Sequence, residues 1–450
     1  MGKIHFIAIG GAAMHNLAIA LKSKGYEVTG SDDEIFEPSL SRLKSHGLLP
    51  PSWGWDPSKL DNSINAVILG MHAHKDNPEL LKAMELGIKI YSYPEFLFEQ
   101  VRDKTRIVIA GSHGKTTITA IIIHVLKSLG MQFDFMVGSQ LEDFDTMVSL
   151  NPGSKIAIFE GDEYLSSPLD LQPKFLHYKP HIVLISGIAW DHMNVFPTFE
   201  NYVYQFKTLC KVIQPGGHLA YFTGDNKLQS IAESVQKEIN IHAYKAHENE
   251  VIDEVTYLKT KENQKFKINI FGNHNLQNIS GAKMICNLIG VKDSEFYPAI
   301  AQFKGTAKRL QVLKNTADSV VYYDFAHSPS KVKATVNAVK EQYPDKTLIA
   351  ILELHTYSSL NKYFIPQYAN TLNSANSAVV YYNPEVVKNK DLEMFSKNDI
   401  KNYFNNGKLL VFSDRDELEE FIKEINLKEV VLLFMSSGNF GGLKIKDMVM

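Results

Sequence analysis

The segment GSHGKTT, residues 111–117, has residue types and spacing that are typical of a phosphate-binding loop. It follows the apolar run RIVIA and opens an amphipathic run, so its backbone N–H groups and the next helix N-terminus would face phosphate oxygens. We expect Lys115 to reach the β- and γ-phosphates of a nucleoside triphosphate and Thr116 to give a hydroxyl to Mg²⁺. A glycine turn without a ligand is the structural alternative, and the order of strand, loop and helix argues against it. The other loop residues that we expect to contact the nucleoside triphosphate are Gly111, Ser112, His113, Gly114 and Thr117.

A second glycine turn lies near the N-terminus, in KIHFIAIGGAAMHNLAIALKSKGYEVTGSD. The pattern predicts a strand, a turn, a helix and a second strand that ends at Ser31 and Asp32, which together form a mononucleotide-binding βαβ unit. Gly10 and Gly11 would meet a diphosphate, although the third glycine of the dinucleotide fingerprint is missing. Asp32 is placed either to accept a hydrogen bond from a ribose hydroxyl or to cap a turn. This segment alone is consistent with a dinucleotide-dependent oxidoreductase and equally with a bare structural turn.

Strand and helix patterns continue along the whole chain and predict an α/β protein of three domains. The first boundary is a charged connection near Arg102, and the second is the stretch FKGTAKRL. We therefore expect a Rossmann-like domain over residues 1–103 and a central P-loop ATPase domain with a mostly parallel sheet over residues 104–304. A second Rossmann-like α/β domain is expected over residues 305–450.

The composition excludes several kinds of partner. The 450 residues are 44% hydrophobic and 22% charged, which is typical of a soluble protein with several domains. The net charge of -3 arises from interspersed signs, so we expect neither a nucleic-acid partner nor a membrane surface. Cys210 and Cys286 have no metal-binding spacing and make no disulfide framework, which favours a reducing compartment and a cytoplasmic protein.

Five further motifs accompany the loop, namely FEGDEY, WDHMNVF, GNHNLQN, YYDFAHSPS and MSSGNFGG. In this order and spacing they resemble the Mur ligase family, and the resemblance covers essentially the whole chain. Members of this family are ATP-dependent enzymes that join amino acids or peptides to UDP-muramoyl precursors of peptidoglycan. Their first domain binds the UDP-sugar, their central domain holds ATP and their third domain binds the incoming amine. The resemblance therefore implies the same order of sites here.

The resemblance also implies roles for individual residues in phosphoryl transfer. Lys115, Glu160, His192 and Arg309 match catalytic positions, and Arg309 would approach the phosphates when the domains close. The expected Mg²⁺ ligands are Thr116, Glu160 and His192. A solvated strand end for Glu160 and a capping or core role for His192 are the structural alternatives.

Other matching positions are expected to bind the three substrates. Asn275 and Asn278, one helical turn apart, would present amides to adenine, whereas Asp324 would bind the ribose of ATP with His327 nearby. Cap or surface roles are the alternatives for these residues. The positions that match UDP-sugar ligands are Gly10, Gly11, Ser31, Asp32 and His72, and those that match amine-substrate contacts are His355 and Tyr357.

The opening segment is similar to the branch of the family that uses UDP-N-acetylmuramate. In such enzymes ATP converts the sugar-borne carboxylate into an acyl phosphate, which the amine then attacks. PKFLHYKP and MSSGNFGG favour members that attach the tripeptide L-Ala-γ-D-Glu-meso-diaminopimelate in murein recycling. Attachment of L-alanine in de novo synthesis is the alternative. Ser359 stands where an arginine is expected, which leaves the amine uncertain.

Three further points stay open at this stage. Lys207 lies where other branches carry a carbamylated lysine, and we interpret it as an ordinary helix lysine. A non-catalytic protein in which ATP only orders the domains is the alternative from another function class. Neither a monomer nor a dimer is favoured by the sequence.

Overall fold

The computed structural model describes residues 2–140, 144–190, 195–235, 238–307 and 309–449, and its first sheet is parallel. The elements of this part are β1 (Lys3–Ile7), α1 (Ala12–Ser23), β2 (Glu27–Ser31), α2 (Ser39–Ser45), β3 (Ile64–Leu69), α3 (Pro78–Glu85), β4 (Ile90–Ser92) and α4 (Tyr93–Val101). The strand order is β2-β1-β3-β4. Because β1 lies between β2 and β3, the loop after β1 opens where the strand order reverses, which is where α/β sheets bind ligands.

A seven-stranded sheet carries the GSHGKTT loop. Its elements are β5 (Thr105–Ala110), α5 (Lys115–Ser128), β6 (Asp134–Met136), β7 (Val148–Ser149), β8 (Ile156–Glu160), α6 (Lys174–His177), β9 (Ile182–Ile185), α7 (Phe199–Lys211), β10 (His218–Phe222), α8 (Asn226–Ser234) and β11 (Asn240–Tyr244). The order is β11-β10-β9-β5-β8-β6-β7, and only the β6–β7 pair is antiparallel among these strands. The apolar strand β5 lies in the middle, so its carboxyl end is flanked by the ends of β8 and β9.

A small antiparallel sheet follows, which the sequence patterns did not predict. Its strands and the two following helices are β12 (Asn249–Ile252), β13 (Val255–Lys259), β14 (Lys265–Lys267), α9 (Asn273–Leu288) and α10 (Asp293–Ile300). The residues between β12 and β13, Asp253 and Glu254, both have positive φ, as a tight two-residue hairpin turn requires. Strands β12 and β14 are largely exposed, so they lack the apolar runs by which the other strands were predicted.

The last sheet has six strands. Its elements are β15 (Gln311–Asn315), β16 (Ser319–Asp324), α11 (Pro329–Gln342), β17 (Thr347–Leu354), β18 (Ser377–Tyr382), α12 (Pro384–Asn389), α13 (Lys397–Tyr403), β19 (Leu410–Phe412), α14 (Arg415–Lys423), β20 (Val430–Met435) and α15 (Ile445–Val449). The order is β15-β16-β20-β17-β18-β19, with β15 antiparallel to β16 and the other pairs parallel. The carboxyl ends of β16, β20 and β17 therefore meet at one edge.

The described chain forms two compact units. One contains the residues up to Lys245 together with Gly281–Phe296, and the other contains Ala246–Ser280 and the residues from Tyr297 onward. In the first unit one cluster of buried apolar side chains includes Phe6 of β1 and Val108 of β5, so the first two sheets share a core. Among the described helices, none has the length and apolarity needed to cross a membrane.

Candidate active site

The GSHGKTT loop turns sharply between β5 and α5. Gly111 and Gly114 have φ values of 120° and 76°, a region that favours glycine, and α5 begins at Lys115. A Cβ on Gly111 would lie 2.4 Å from Ser186 Oγ, so the loop packs against the end of β9 with no room for a side chain. The predicted order of strand, loop and helix is confirmed, and the loop presents its backbone at the start of α5 as phosphate binding requires.

Two of the predicted residues meet at the carboxyl end of β8. Thr116 Oγ1 donates a hydrogen bond of 2.8 Å to Glu160 Oε1, and the N–H of Gly138 donates one of 2.8 Å to Glu160 Oε2. A hydroxyl and a carboxylate side by side are the oxygen donors that Mg²⁺ prefers, so the residues present fit a magnesium ion beside the loop. His192, the third predicted ligand, lies outside the described residues.

Lys115 has a different carboxylate partner. Its Nζ donates to Glu163 Oε2 at 2.9 Å and to the Gly111 carbonyl at 2.8 Å. Burial lowers the pKa of Lys115, but the nearby carboxylates of Glu163, Asp162 and Glu160 raise the pKa by more, and the net direction is upward. Two hydrogen bonds thus fix the Lys115 ammonium beside the loop, where we expect it to contact phosphate oxygens.

Glu163 and Tyr202 complete a network that sequence reasoning missed. Tyr202 is buried on α7, and its hydroxyl donates to Glu163 Oε1 at 2.8 Å. The Ser112 Oγ lies 2.9 Å from the Tyr202 hydroxyl and accepts a bond of 2.8 Å from the N–H of Ala189. Glu163 stood in the motif FEGDEY without an assigned role, and nothing in the sequence around Tyr202 distinguishes it from other buried aromatic residues.

The neighbouring acid, Asp162, is paired elsewhere. Its Oδ2 accepts from Lys174 Nζ at 2.6 Å and its Oδ1 accepts from the N–H of Tyr164 at 3.1 Å. Burial raises the pKa of Asp162, and the ammonium groups of Lys174 and Lys115 lower the pKa by more. Asp162 and Glu163 thus bond to different lysines, Lys174 and Lys115.

The residues expected at the UDP-sugar lie together at the edge of the first sheet. The N–H of Gly10 donates to Asp32 Oδ2 at 2.6 Å, and a Cβ on Gly10 would meet Asp32 and Ile35. Burial raises the pKa of Asp32 to about 6, although the bond from Gly10 opposes this rise. The residue with positive φ in this turn is Ala8, at 66°, and neither Gly10 nor Gly11 has a positive φ.

Ser31 and His72 complete this group. Ser31 is buried and its Oγ accepts from Lys59 Nζ at 2.8 Å, which brings a cation to the end of β2. His72 is exposed and follows Gly70, whose N–H donates to the Ile7 carbonyl at 2.9 Å. Gly11 precedes α1 as its N-cap residue. The structure therefore places these predicted residues near the ends of β1, β2 and β3.

A hydrogen bond joins this first part of the chain to the seven-stranded sheet. Asn16 is buried on α1, and its Oδ1 accepts from the N–H of Met147 at 2.8 Å. The Met147 carbonyl in turn accepts from the N–H of Val137 at 3.0 Å, and Val137 precedes Gly138, which bonds to Glu160. Backbone and one side chain thus form a continuous path from α1 to Glu160.

The residues expected at adenine and ribose lie in the second unit. Asn278 Nδ2 donates to Asn275 Oδ1 at 3.4 Å, so the two amides share one face of α9 as predicted. Asp324 accepts from the N–H groups of Leu310 and Ala326, each at 2.7 Å, and it therefore also orders the segment before β15 and the loop after β16.

Two basic residues accompany Asp324. The guanidinium of Arg309 lies 4.9 Å from the ring centre of Phe325, and His327 Nδ1 lies 2.8 Å from the Phe325 carbonyl. His274 was not predicted as a site residue. Its Nδ1 is buried and has no hydrogen-bond partner among the described residues, and burial lowers the pKa of His274 in spite of the Asp324 carboxylate.

The residues expected at the amine follow β17. His355 is partly buried and Tyr357 is exposed, whereas Ser359, which stands where an arginine was expected, is buried and bonds to Thr356. A further acid, Glu353, is buried beneath them and accepts from Ser436 Oγ and from the N–H of Phe440 at 2.9 Å. Glu353 thus fixes the loop that carries the motif MSSGNFGG.

Three family models match successive stretches of the chain. The model described as Mur ligase family, catalytic domain matches residues 3–105, the Mur ligase middle domain matches residues 109–286, and the Mur ligase, glutamate ligase domain matches residues 308–438. The UDP-N-acetylmuramate–L-alanine ligase of a Sulfurihydrogenibium species is 30% identical over 451 residues, which cover 97% of this chain and 95% of that protein. The chain belongs to the Mur ligase family.

Solved structures agree with this fold. The murein peptide ligase of Psychrobacter arcticus has a TM-score of 0.66 and 22% identity, and the alignment covers 100% of this Mur ligase and 98% of that chain. The UDP-N-acetylmuramate–alanine ligase of Thermotoga maritima has a TM-score of 0.71 and 19% identity, with coverage of 98% and 97%. At these identities the two structures inform the fold alone, and the predicted three-domain α/β fold is confirmed.

Mur ligases are ATP-dependent enzymes that form C–N bonds, and they use ATP and Mg²⁺. The prediction of an ATP-dependent ligase with these cofactors is therefore confirmed for this Mur ligase. Family membership favours a ligase over the dinucleotide-dependent oxidoreductase and over the non-catalytic nucleotide switch.

Proposed function

We propose that this Mur ligase joins the carboxylate of UDP-N-acetylmuramate to the amino group of L-Ala-γ-D-Glu-meso-diaminopimelate, as in murein recycling. The observation that supports the ATP-dependent step is the hydrogen bond between Thr116 and Glu160. It lies beside the fixed ammonium of Lys115 at the carboxyl end of β5. The motifs PKFLHYKP and MSSGNFGG support the tripeptide, and the fold similarity to a murein peptide ligase is compatible with it.

The proposed chemistry has two steps. An oxygen of the substrate carboxylate attacks the γ-phosphorus of ATP, ADP leaves, and an acyl phosphate forms. The amine nitrogen then attacks the acyl carbon, inorganic phosphate leaves, and the nitrogen gives up a proton. Phosphoryl transfer depends chiefly on positioning and on neutralising charge, which Lys115 and the loop N–H groups supply.

Magnesium would be held by Thr116 and Glu160, with His192 as the third proposed ligand. The ion supplies positive charge next to the transferring phosphoryl group. The loop residues 111–117 would surround the phosphates. For the nucleoside part of ATP we propose Asn275 and Asn278 at adenine, Asp324 and His327 near the ribose, and Arg309 as a second cation.

The UDP-sugar would bind at the edge of the first sheet, where Gly10, Gly11, Ser31, Asp32 and His72 lie. The buried turn against Asp32 and the cation of Lys59 at Ser31 support a site for a diphosphate compound. We retain domain boundaries after residues 103 and 304 as part of this proposal, with His355 and Tyr357 on the amine-binding domain.

A second candidate function is ligation of free L-alanine. Its support comes from similar sequences, since relatives at 26–30% identity are UDP-N-acetylmuramate–L-alanine ligases. The buried Ser359 favours neither candidate, because the arginine expected at this position belongs to the pattern of the whole branch.

An assay of ADP release decides between these candidates. Purified protein is given ATP, Mg²⁺ and UDP-N-acetylmuramate at saturation, and L-alanine, other free amino acids and the L-alanyl tripeptide are compared as amines. Under the proposal the tripeptide gives the highest kcat/KM, and a UDP-linked amide product appears by mass spectrometry. Preference for L-alanine would establish the second candidate, and absence of any acceptor-dependent release would contradict both.

A further inference from the structure

Glu160 and Glu163, three residues apart, form hydrogen bonds with different groups near the loop. Glu160 bonds to the Thr116 hydroxyl and to the N–H of Gly138, whereas Glu163 bonds to the Lys115 ammonium and to the Tyr202 hydroxyl. Within the described residues, Glu160 is thus the carboxylate that bonds to a predicted magnesium ligand, Thr116. Glu163 is almost entirely buried, with a side-chain exposure of 1%, and Lys115 is mostly buried at 17%.

The contacts of Glu163 extend to the other end of the loop. The Tyr202 hydroxyl donates its hydrogen bond to Glu163. The Ser112 hydroxyl must therefore donate to the Tyr202 oxygen. The N–H of Ala189 then donates to Ser112 Oγ, which completes a consistent set of donors and acceptors. Through Tyr202, one buried carboxylate thus fixes both the lysine and the serine of GSHGKTT.

Electrostatics gives this arrangement two opposite effects. A buried ammonium held by a carboxylate and by the Gly111 carbonyl has a defined direction, so it is positioned before a phosphate arrives. The same carboxylate is an anion beside the place that a triphosphate would occupy, and like charges in a poorly solvated site repel. Phosphate oxygens must share Lys115 with Glu163 or displace Glu163 from it.

We propose that Glu163 is a positioning residue for phosphoryl transfer, which orients Lys115 and, through Tyr202, Ser112 at the cost of weaker nucleotide binding. This inference rests on the assignment of the loop to ATP in the proposed function. It predicts that removal of the Glu163 charge separates nucleotide affinity from turnover, which a merely structural role would not do.

The test uses Glu163→Gln in the full-length protein. The amide keeps the size of the side chain and an oxygen that can accept from Tyr202, but it removes the negative charge. Binding of ADP, with and without Mg²⁺, is measured by calorimetry, and kcat is measured as ADP release with the best amine found above. We expect the Kd for ADP to fall about three- to tenfold and kcat to fall roughly 10- to 100-fold.

Two matched variants separate the contributions. Asp162→Asn removes a charge one residue away whose partner is Lys174, and it should change the Kd for ADP by less than Glu163→Gln does. Tyr202→Phe keeps the Glu163 charge but removes the link to Ser112, so kcat should fall while the Kd for ADP stays near that of the wild type. Should Glu163→Gln fail to fold, Glu163→Asp retains the charge at a shorter reach, and it should lower kcat at an unchanged Kd.

The outcomes fall into two groups. Tighter ADP binding together with slower turnover in Glu163→Gln, or the Glu163→Asp pattern in its place, supports the inference. In Glu163→Gln, weaker or unchanged ADP binding or an unchanged kcat overturns the inference. An equal response in Asp162→Asn overturns it as well. Failure of the wild-type protein to bind ADP, or undiminished binding in Lys115→Ala, would instead contradict the assignment of the loop itself.

Discussion

At the scale of single residues, the loop lysine and its acidic neighbours show which site residues can be predicted from the sequence and which depend on the fold. Lys115 and Thr116 were predicted from the phosphate-loop pattern, and Glu160 was predicted from the family resemblance. Glu163 and Tyr202 were missed because their roles arise from hydrogen bonds between β8 and α7, which no local pattern encodes. Ala8 was missed because a non-glycine residue with positive φ gives no signal in composition.

Lys115→Ala tests the central cation. The change removes the positive charge that opposes the transferring phosphoryl group, so we expect kcat to fall by about 10²- to 10³-fold or more. Steady-state ADP release measures the effect, and circular dichroism serves as the control for folding. A rate close to that of the wild type would refute the role of Lys115.

Glu160→Ala tests the carboxylate that faces Thr116. Loss of this oxygen donor should raise the Mg²⁺ concentration needed for half-maximal activity by about tenfold or more, since ligands and their supports affect metal affinity on this scale. The readout is a magnesium titration at saturating ATP. An unchanged midpoint would show that Glu160 does not support the metal.

Asp32 gives the first part of the chain a specific pH dependence. Its pKa in the folded protein is about 6 against 3.8 for the unperturbed group, so the folded state binds the proton more tightly. The contribution of Asp32 to stability is therefore greatest below about pH 4 and is lost as the pH rises to about 6. The difference in unfolding free energy between wild type and Asp32→Asn should decrease across this range in denaturant titrations. A flat or rising difference would contradict the burial of an ionisable Asp32.

At the scale of elements, the buried strands were predictable and the exposed ones were not. Strands β5, β8, β9, β16 and β20 are apolar runs followed by polar or glycine residues, and parallel sheets covered on both faces produce this pattern. Strands β12 and β14 have few buried residues, and β12 pairs with β13 across a hairpin turn without glycine. Tertiary context rather than local preference therefore decides these strands.

Gly111 at the end of β5 offers a test of loop geometry. Gly111→Ala would strain a φ of 120° and place a Cβ against backbone and side-chain atoms of Ser186, so we expect a loss of about 3 kcal/mol or more and little activity. Gly130→Ala is the matched control, since Gly130 has a φ of 67° with nothing within 4 Å, and it should cost about 1–2 kcal/mol. Equal losses in chemical unfolding would contradict the close packing of Gly111 on the end of β9.

At the scale of the whole molecule, the family resemblance predicted the order of the three domains, but not which contacts join them. Asn16 was an unremarked residue of a predicted helix, yet its side chain bonds to the backbone of a segment more than a hundred residues away. Contacts of this sequence separation follow from the tertiary fold and leave no periodic trace in the sequence.

Asn16→Ala tests this contact. The change leaves the partly buried N–H of Met147 without its acceptor, which should cost about 1–3 kcal/mol of unfolding free energy. Asn65→Ala is the control, because Asn65 is exposed and its side chain likewise accepts from a backbone N–H, that of Lys3. We expect the control to lie within about 0.5 kcal/mol of the wild type. Similar losses of unfolding free energy in the two variants would show that the Asn16–Met147 hydrogen bond is no better shielded from water than the Asn65–Lys3 bond.

The path from Asn16 through Met147 and Val137 to Glu160 also has a thermodynamic consequence. Binding equilibria in one macromolecule are linked, so any free energy that this segment transmits must be the same in both directions. If a uridine ligand increases the affinity for Mg²⁺ by a given factor, Mg²⁺ must increase the affinity for that ligand by the same factor. Reciprocal calorimetric titrations should therefore give one coupling factor.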